Sequence, residues 1–281
     1  MPTLKNYDVY KRAFDVTYDL LSGAPAELLN PEITLKFPKG TPMYRYSPKK
    51  ISDGGESNAR KVWRALPSDT ENRWSGTDSK GGGVTGLYLA LEAAGALHTE
   101  FAELVHYQEN EANPDTAVLA YQQYAAGGNP ELIFSPVNAI FFMWLFFHEK
   151  PLTGINLDVP HAGNSSPFMQ RVFMKLAGHS SLGGKTPTQW YLHESDASLC
   201  RGIGNACLAD HRFDFIRVTS ARSADLSAKN IVIPHAGGPA TEPYAHLTCH
   251  GRSSFFLNRD GTMDAQTSED DKLYSGRILL D

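Results

Sequence analysis

The most apolar run of the chain, Asn138-Ala-Ile-Phe-Phe-Met-Trp-Leu-Phe-Phe147, is only about ten residues long. A helix needs about 20 apolar residues to cross the roughly 30 Å hydrocarbon core of a bilayer. The run is therefore read as a single buried helix or strand. The core has to be assembled from short elements separated by polar, glycine-containing stretches. With 281 residues, 41% of them hydrophobic and 20% charged, the chain can bury most of its apolar surface as one large domain without disulfide staples.

Residues 4–29 carry apolar side chains at helical spacing (Tyr7, Val9, Tyr10, Phe14, Val16, Tyr18, Leu20, Leu21), and Gly23 and Pro25 end the pattern. This predicts an amphipathic helix on the outside of the core, an N-terminal extension over 1–30. Short strands are expected over Thr41–Tyr46, Lys61–Leu66, Leu87–Ala90, Leu152–Pro160, Phe213–Val218 and Lys229–Pro234. Helices are expected over Glu92–Tyr107, Ser165–Leu176 and Asp196–Ala209, the last with Ser195 or Asp196 as N-cap. Ile51–Arg60, Ser68–Gly86 and Gly178–Thr188 read as loops. Residues 108–150 read as an insertion. Residues 236–281 form a polar tail, with one apolar patch near 255–257, expected to pack on the core or stay partly mobile. Strands and helices do not alternate strictly, and no G-x-G-x-x-G follows a strand, which argues against a doubly wound dinucleotide fold. An α+β fold with a split mixed sheet is expected over the single domain 1–281.

A formal charge of -5 provides no global basic field, so neither nucleic acid nor a membrane surface is an expected partner. A dinucleotide remains compatible, because only its pocket must be positive. The three cysteines are odd in number and scattered, which argues against a disulfide framework. Cys200 and Cys207 read as core thiols. No zinc-type Cys/His spacing appears, and His98, His148 and His161 read as structural or surface residues, so no metal is expected. The N-terminal residues are too polar for a signal peptide. The protein reads as cytoplasmic, with delivery by a signal-independent secretion system left open.

Four segments carry the candidate chemistry: Met43-Tyr44-Arg45-Tyr46; Asn72-Arg73-Trp74-Ser75-Gly76; Gly86-Leu87-Tyr88-Leu89-Ala90 followed by Glu100; and the stretch from Phe213 through Ser220-Ala221-Arg222 to Asn230 and Ile233. In this order they resemble the RES-domain toxins of bacterial toxin–antitoxin systems, over about two thirds of the chain. That family has an arginine-bearing strand, a Gly-Arg-Trp segment, and a tyrosine strand leading into a glutamate helix. A later strand ends in Ser-Ala-Arg, and a further one begins with asparagine. Here Glu71-Asn72 replaces the double glycine before Arg-Trp, and Arg64 competes with Arg45 for the first arginine position.

The resemblance implies an ADP-ribosyltransferase-like core and cleavage of the nicotinamide–ribose bond of NAD⁺, by hydrolysis or phosphorolysis. ADP-ribosyl transfer to a macromolecule and an inert binding module of the same fold are the alternatives. It implies Glu100, Arg73 and Ser220 as catalytic residues, and Arg45, Tyr46, Tyr88, Asn230 and Arg222 as NAD⁺-binding residues. A cognate antitoxin or immunity protein is the implied partner.

These residue types suit the chemistry. Breaking the glycosidic bond builds positive charge on the ribose, which a carboxylate such as that of Glu100 stabilises. Guanidinium groups at Arg45 and Arg73 fork onto pyrophosphate oxygens. Tyr88 offers a ring for stacking, and the Ser220 hydroxyl can hold the glutamate or a ribose oxygen. The plain alternatives are a solvated helix face for Glu100, beside Glu92 and Glu103; core packing for Tyr88; a turn serine at Ser220; an Arg222–Asp225 pair; and a turn-fixing role for Asn230.

Overall fold

Apolar periodicity of 3.6 in the helices and near-continuous β-branched runs in the central strands give an α+β fold with a mixed sheet. In a computed structural model the described residues are 4–23, 30–48, 73–77, 83–84, 86–91, 140–159, 166–192, 196–219, 229–234, 247–257 and 263–266. The expected strand 61–66 and helix 92–107 lie outside them. In chain order the elements are α1 (Tyr7–Gly23), β1 (Thr34–Phe37), β2 (Pro42–Pro48), β3 (Gly76–Thr77), β4 (Gly83–Val84), β5 (Gly86–Ala90), β6 (Ile140–His148) and β7 (Leu152–Leu157). There follow α2 (Pro167–Leu176), a 3₁₀ turn (Ser180–Leu182), α3 (Pro187–Tyr191), α4 (Ser198–Leu208), β8 (Phe215–Thr219), β9 (Lys229–Pro234), β10 (Leu247–Leu257) and β11 (Met263–Gln266).

Nine of these strands form one sheet in the order β1-β7-β8-β9-β5-β2-β6-β10-β11, and β3 pairs with β4 separately. Among the described residues the one parallel pair is β7 with β8. A parallel pair demands a long crossover, and the residues between β7 and β8 supply it as α2, the 3₁₀ turn, α3 and α4. Two ladders meet at a narrow seam. β2 and β5 share a single register pair among the described residues, Tyr44 with Ala90. On one side of the seam lie β1-β7-β8-β9-β5, on the other β2-β6-β10-β11. One row crosses it: Tyr44, Ala90, Asn230, Val218 and Leu157 stand side by side on successive strands.

The helices cover one face of the first ladder. Ile155, Leu157, Ile216, Val218 and Val232 of the sheet pack into one core with α1, α2 and α4. On the other face the Phe215 ring lies over Gly154, where any Cβ would overlap it, and stacks on Phe37 at 4.5 Å.

Helix α4 is buried all round, Arg201 and Asn205 included. Its glycines permit this. A Cβ at Gly202 would collide with the Tyr10 carbonyl of α1, and one at Gly204 with the Trp74 carbonyl. The Asn205 side chain ties three segments: Nδ2 donates to the Gly76 carbonyl at 2.9 Å and to the Tyr10 hydroxyl at 3.2 Å, and Oδ1 accepts from the Val84 N–H at 3.3 Å.

Several expectations change. Helix α1 is amphipathic as expected, and its buried face reaches deeper than a covering layer, with Val9 and Ala13 fully buried in the core shared with α4. Residues 140–148, expected within an insertion, are a strand between β2 and β10. Part of the expected tail, β10 and β11, extends the sheet to its edge. The loop expected over 178–188 holds the 3₁₀ turn and the start of α3, which a capping box launches: Thr186 and Gln189 exchange side-chain and backbone hydrogen bonds. Ala197 occupies the N-cap of α4 in place of Ser195 or Asp196. Asp196 still serves that end, because its Oδ1 accepts from the Ser198 N–H at 2.9 Å and from the Ser198 hydroxyl.

Candidate active site

The segment Arg73–Gly76 has little regular structure of its own and is held by its neighbours. The Trp74 N–H donates to the Tyr88 hydroxyl at 2.8 Å. The Trp74 carbonyl lies against Gly204, and the Gly76 carbonyl is held by Asn205. The segments of two expected site residues, Arg73 and Tyr88, are thereby joined, because the residue after Arg73 hangs on the tip of Tyr88. Tyr88 itself is half-buried in β5 and packs against the core beneath the helices.

Arg73 is 6% exposed. Its guanidinium stands over the Tyr191 ring, 5.3 Å from the centroid, and beside the Cys200 thiol. Burial raises the Cys200 thiol above its ordinary value. The charge and hydrogen bonding of Arg73 pull the other way without reversing the shift. Cys207 is likewise pushed up by burial. Both are free, buried core thiols.

Asn230 lies inside strand β9, paired with Ala90 and Val218, so the turn-fixing reading does not hold. It is 1% exposed, and its Oδ1 is a buried acceptor with no hydrogen-bond partner among the described residues. Arg45 and Tyr46 have their backbone in β2, opposite Trp144 and Met143 of β6 and adjacent to the Tyr44–Ala90 seam. Their side chains lie outside the description. Glu100, Ser220, Arg222 and the competing Arg64 lie outside the described residues. Ser220 follows directly on Thr219, the last residue of β8.

Next to that strand end is a charged network the sequence did not reveal. Asp158, just beyond β7 and nearly buried, takes Arg217 Nη2 at 2.7 Å and Lys229 Nζ at 3.5 Å. The Thr219 hydroxyl donates to Asp158 at 3.3 Å and accepts from Lys229 at 3.0 Å. Tyr191 was missed as well; its hydroxyl donates to the Thr219 carbonyl at 2.9 Å. The Thr186–Gln189 capping box was the available signal for the helix that carries it.

Arg73, Tyr88 and Asn230 are the expected site residues whose side chains fall among the described residues: one cation, one ring and one buried acceptor. His148, at the end of β6, places Nδ1 2.9 Å from the Lys150 carbonyl at the turn into β7. Among the described residues no group of three or more His, Cys, Asp or Glu is placed to hold a metal ion, and no helix is long and apolar enough to cross a membrane. In comparisons with known proteins, no family model and no curated protein matches the chain.

Proposed function

We propose that the protein cleaves the nicotinamide–ribose bond of NAD⁺, at a site built around the seam between β2 and β5 on an ADP-ribosyltransferase-like core. The observation that carries this reading is the Asn230 Oδ1, a buried acceptor with no donor among the described residues, in the row that crosses the seam. A buried acceptor left unmade costs about 1–3 kcal/mol, a cost that a bound ligand's N–H or O–H removes. The nicotinamide carboxamide and the ribose hydroxyls are donors of that kind. Tyr88 lies two residues before Ala90 on β5, opposite Val232 of β9, and the Trp74 N–H ties the Arg73 segment to its hydroxyl.

In this reading Arg73 and Arg45 hold the pyrophosphate, and Tyr88 supports the ring that will leave. Glu100 supplies the negative charge for the cation that forms at the ribose. The bond breaks as electrons pass to the nicotinamide nitrogen, which departs neutral, and water or another acceptor then captures the sugar carbon. Preorganised charge of this type contributes about 3–4 kcal/mol to a barrier for one well-placed group. The test is nicotinamide release by purified protein incubated with NAD⁺, wild type against Glu100→Gln. Release by wild type with a loss of at least about 100-fold in the variant supports the reading; equal rates contradict it.

A further inference from the structure

We propose that Tyr191 is a positioning residue that holds the Arg73 guanidinium in register with the outgoing end of β8, an inference that rests on the NAD⁺-cleaving reading above. Arg73 and Thr219 come from distant parts of the chain, and Tyr191 touches both. Its ring carries the guanidinium at 5.3 Å and meets Trp74 at 5.9 Å with a 52° tilt. Its hydroxyl donates to the Thr219 carbonyl at 2.9 Å. Thr219 is the residue before Ser220, so one side chain links the pyrophosphate-holding Arg73 to the strand end that leads into Ser220.

The physical case is one of preorganisation. Tyr191 is fully buried, and it ends a five-residue helix whose start is fixed by the Thr186–Gln189 capping box. The phenol is therefore anchored at both ends, by the backbone of α3 and by the carbonyl of β8. A guanidinium has several rotatable bonds, and a fixed aromatic face beneath it selects one orientation while compensating part of its lost hydration. Without the hydroxyl anchor the ring is free to tilt and the cation above it moves too. Trp74, packed on the same ring and tied to Tyr88, transmits that movement to β5. Tyr191 reaches the site through Arg73 and the β8 carbonyl, so it positions rather than reacts.

The assignment separates from a merely structural one by where the loss falls. Full-length wild type, Tyr191→Phe, Tyr191→Leu, Arg73→Lys and the Arg73→Lys/Tyr191→Phe double variant are titrated with NAD⁺ by calorimetry. Nicotinamide release and melting temperature are followed on the same samples. Tyr191→Phe keeps the ring and is the informative variant if Tyr191→Leu fails to fold. The expected result is an NAD⁺ Kd raised about tenfold in Tyr191→Phe, with a matching rise in KM and little change in kcat. The double variant should bind no worse than Arg73→Lys alone, because coupled residues are non-additive. Binding by Tyr191→Phe within about twofold of wild type, or a loss that adds in full to that of Arg73→Lys, overturns the assignment. If wild type binds NAD⁺ but releases no nicotinamide, the catalytic reading fails while the binding series still decides the role of Tyr191. If wild type does not bind NAD⁺, both fall.

Discussion

The backbone N–H of Trp74 donates to the phenolic oxygen of Tyr88 at 2.8 Å, which fixes the arginine-bearing segment to the tip of a strand side chain rather than to a strand backbone. Trp74 is 1% exposed, so water does not readily replace that acceptor. Tyr88→Phe should cost about 1–3 kcal/mol of stability by leaving the amide without it. Chemical denaturation measures the cost, and nicotinamide release should fall in parallel at temperatures where the variant is folded. An unchanged unfolding midpoint would show that the bond contributes nothing.

The same segment is pressed against α4 from the other side. Adding one methyl group at Gly204 drives a Cβ into the Trp74 carbonyl, and backbone yields poorly to such overlap. Gly204→Ala should destabilise by about 3 kcal/mol, although glycine-to-alanine in a helix interior ordinarily stabilises by up to about 1 kcal/mol. The sign of the change in melting temperature distinguishes the two outcomes.

At the ends of β7 and β8, Asp158 is nearly buried between Arg217 and Lys229, whose side chains remain about a quarter exposed. Asp158→Asn removes the anion and leaves two cations facing each other. The expected loss is about 3 kcal/mol, the lower end for breaking a buried pair because the cations keep some water. Urea unfolding at neutral pH measures it, and Arg217→Gln combined with Asp158→Asn should recover part of the loss.

How much of this was legible in the sequence depends on whether the deciding contact is local. The strands at 86–90, 152–157, 215–219 and 229–234 and the helices at 167–176 and 198–208 follow from apolar runs and periodicity, and the structure places them within a few residues of expectation. The strand at 140–148 was visible as an apolar run, but its place between β2 and β10 is a pairing decision that no local pattern encodes. Tyr191 and Asn205 were illegible for the same reason. Tyr191 is a tyrosine in a short polar stretch until Thr219 and Arg73 arrive from elsewhere. Asn205 is a polar residue in mid-helix whose three partners lie on α1, β3 and β4. Arg73 and Tyr88 were picked out as site residues, yet the hydrogen bond that joins their segments was not foreseeable.

Acid stability offers a test remote from the site. Asp210 closes onto Arg212, with Nε 2.9 Å and Nη2 2.5 Å from its two oxygens, and the same guanidinium donates to the Leu21 carbonyl at 2.9 Å, near the end of α1. Burial works to raise the carboxyl of Asp210, but the hydrogen bonds and charge of Arg212 outweigh it, so the net shift is downward. A depressed folded-state value means that the contribution is complete above the unfolded carboxylate value, about 3.9. It is lost as pH falls through the lower folded value. Arg212→Gln should therefore lower the urea midpoint at pH 7, and the gap from wild type should close in acid below about pH 4. A gap that stays constant into acid would assign the effect to the Leu21 contact instead.

The most direct measurement is a proton magnetic resonance time course of NAD⁺ with the purified protein and, in parallel, with Glu100→Gln. The expected result is that the resonances of bound nicotinamide in NAD⁺ decline with wild type as those of free nicotinamide rise in equal amount, while the variant leaves the NAD⁺ spectrum intact over the same period. An unchanged spectrum with wild type, or identical loss with both proteins, would contradict NAD⁺ cleavage at this site.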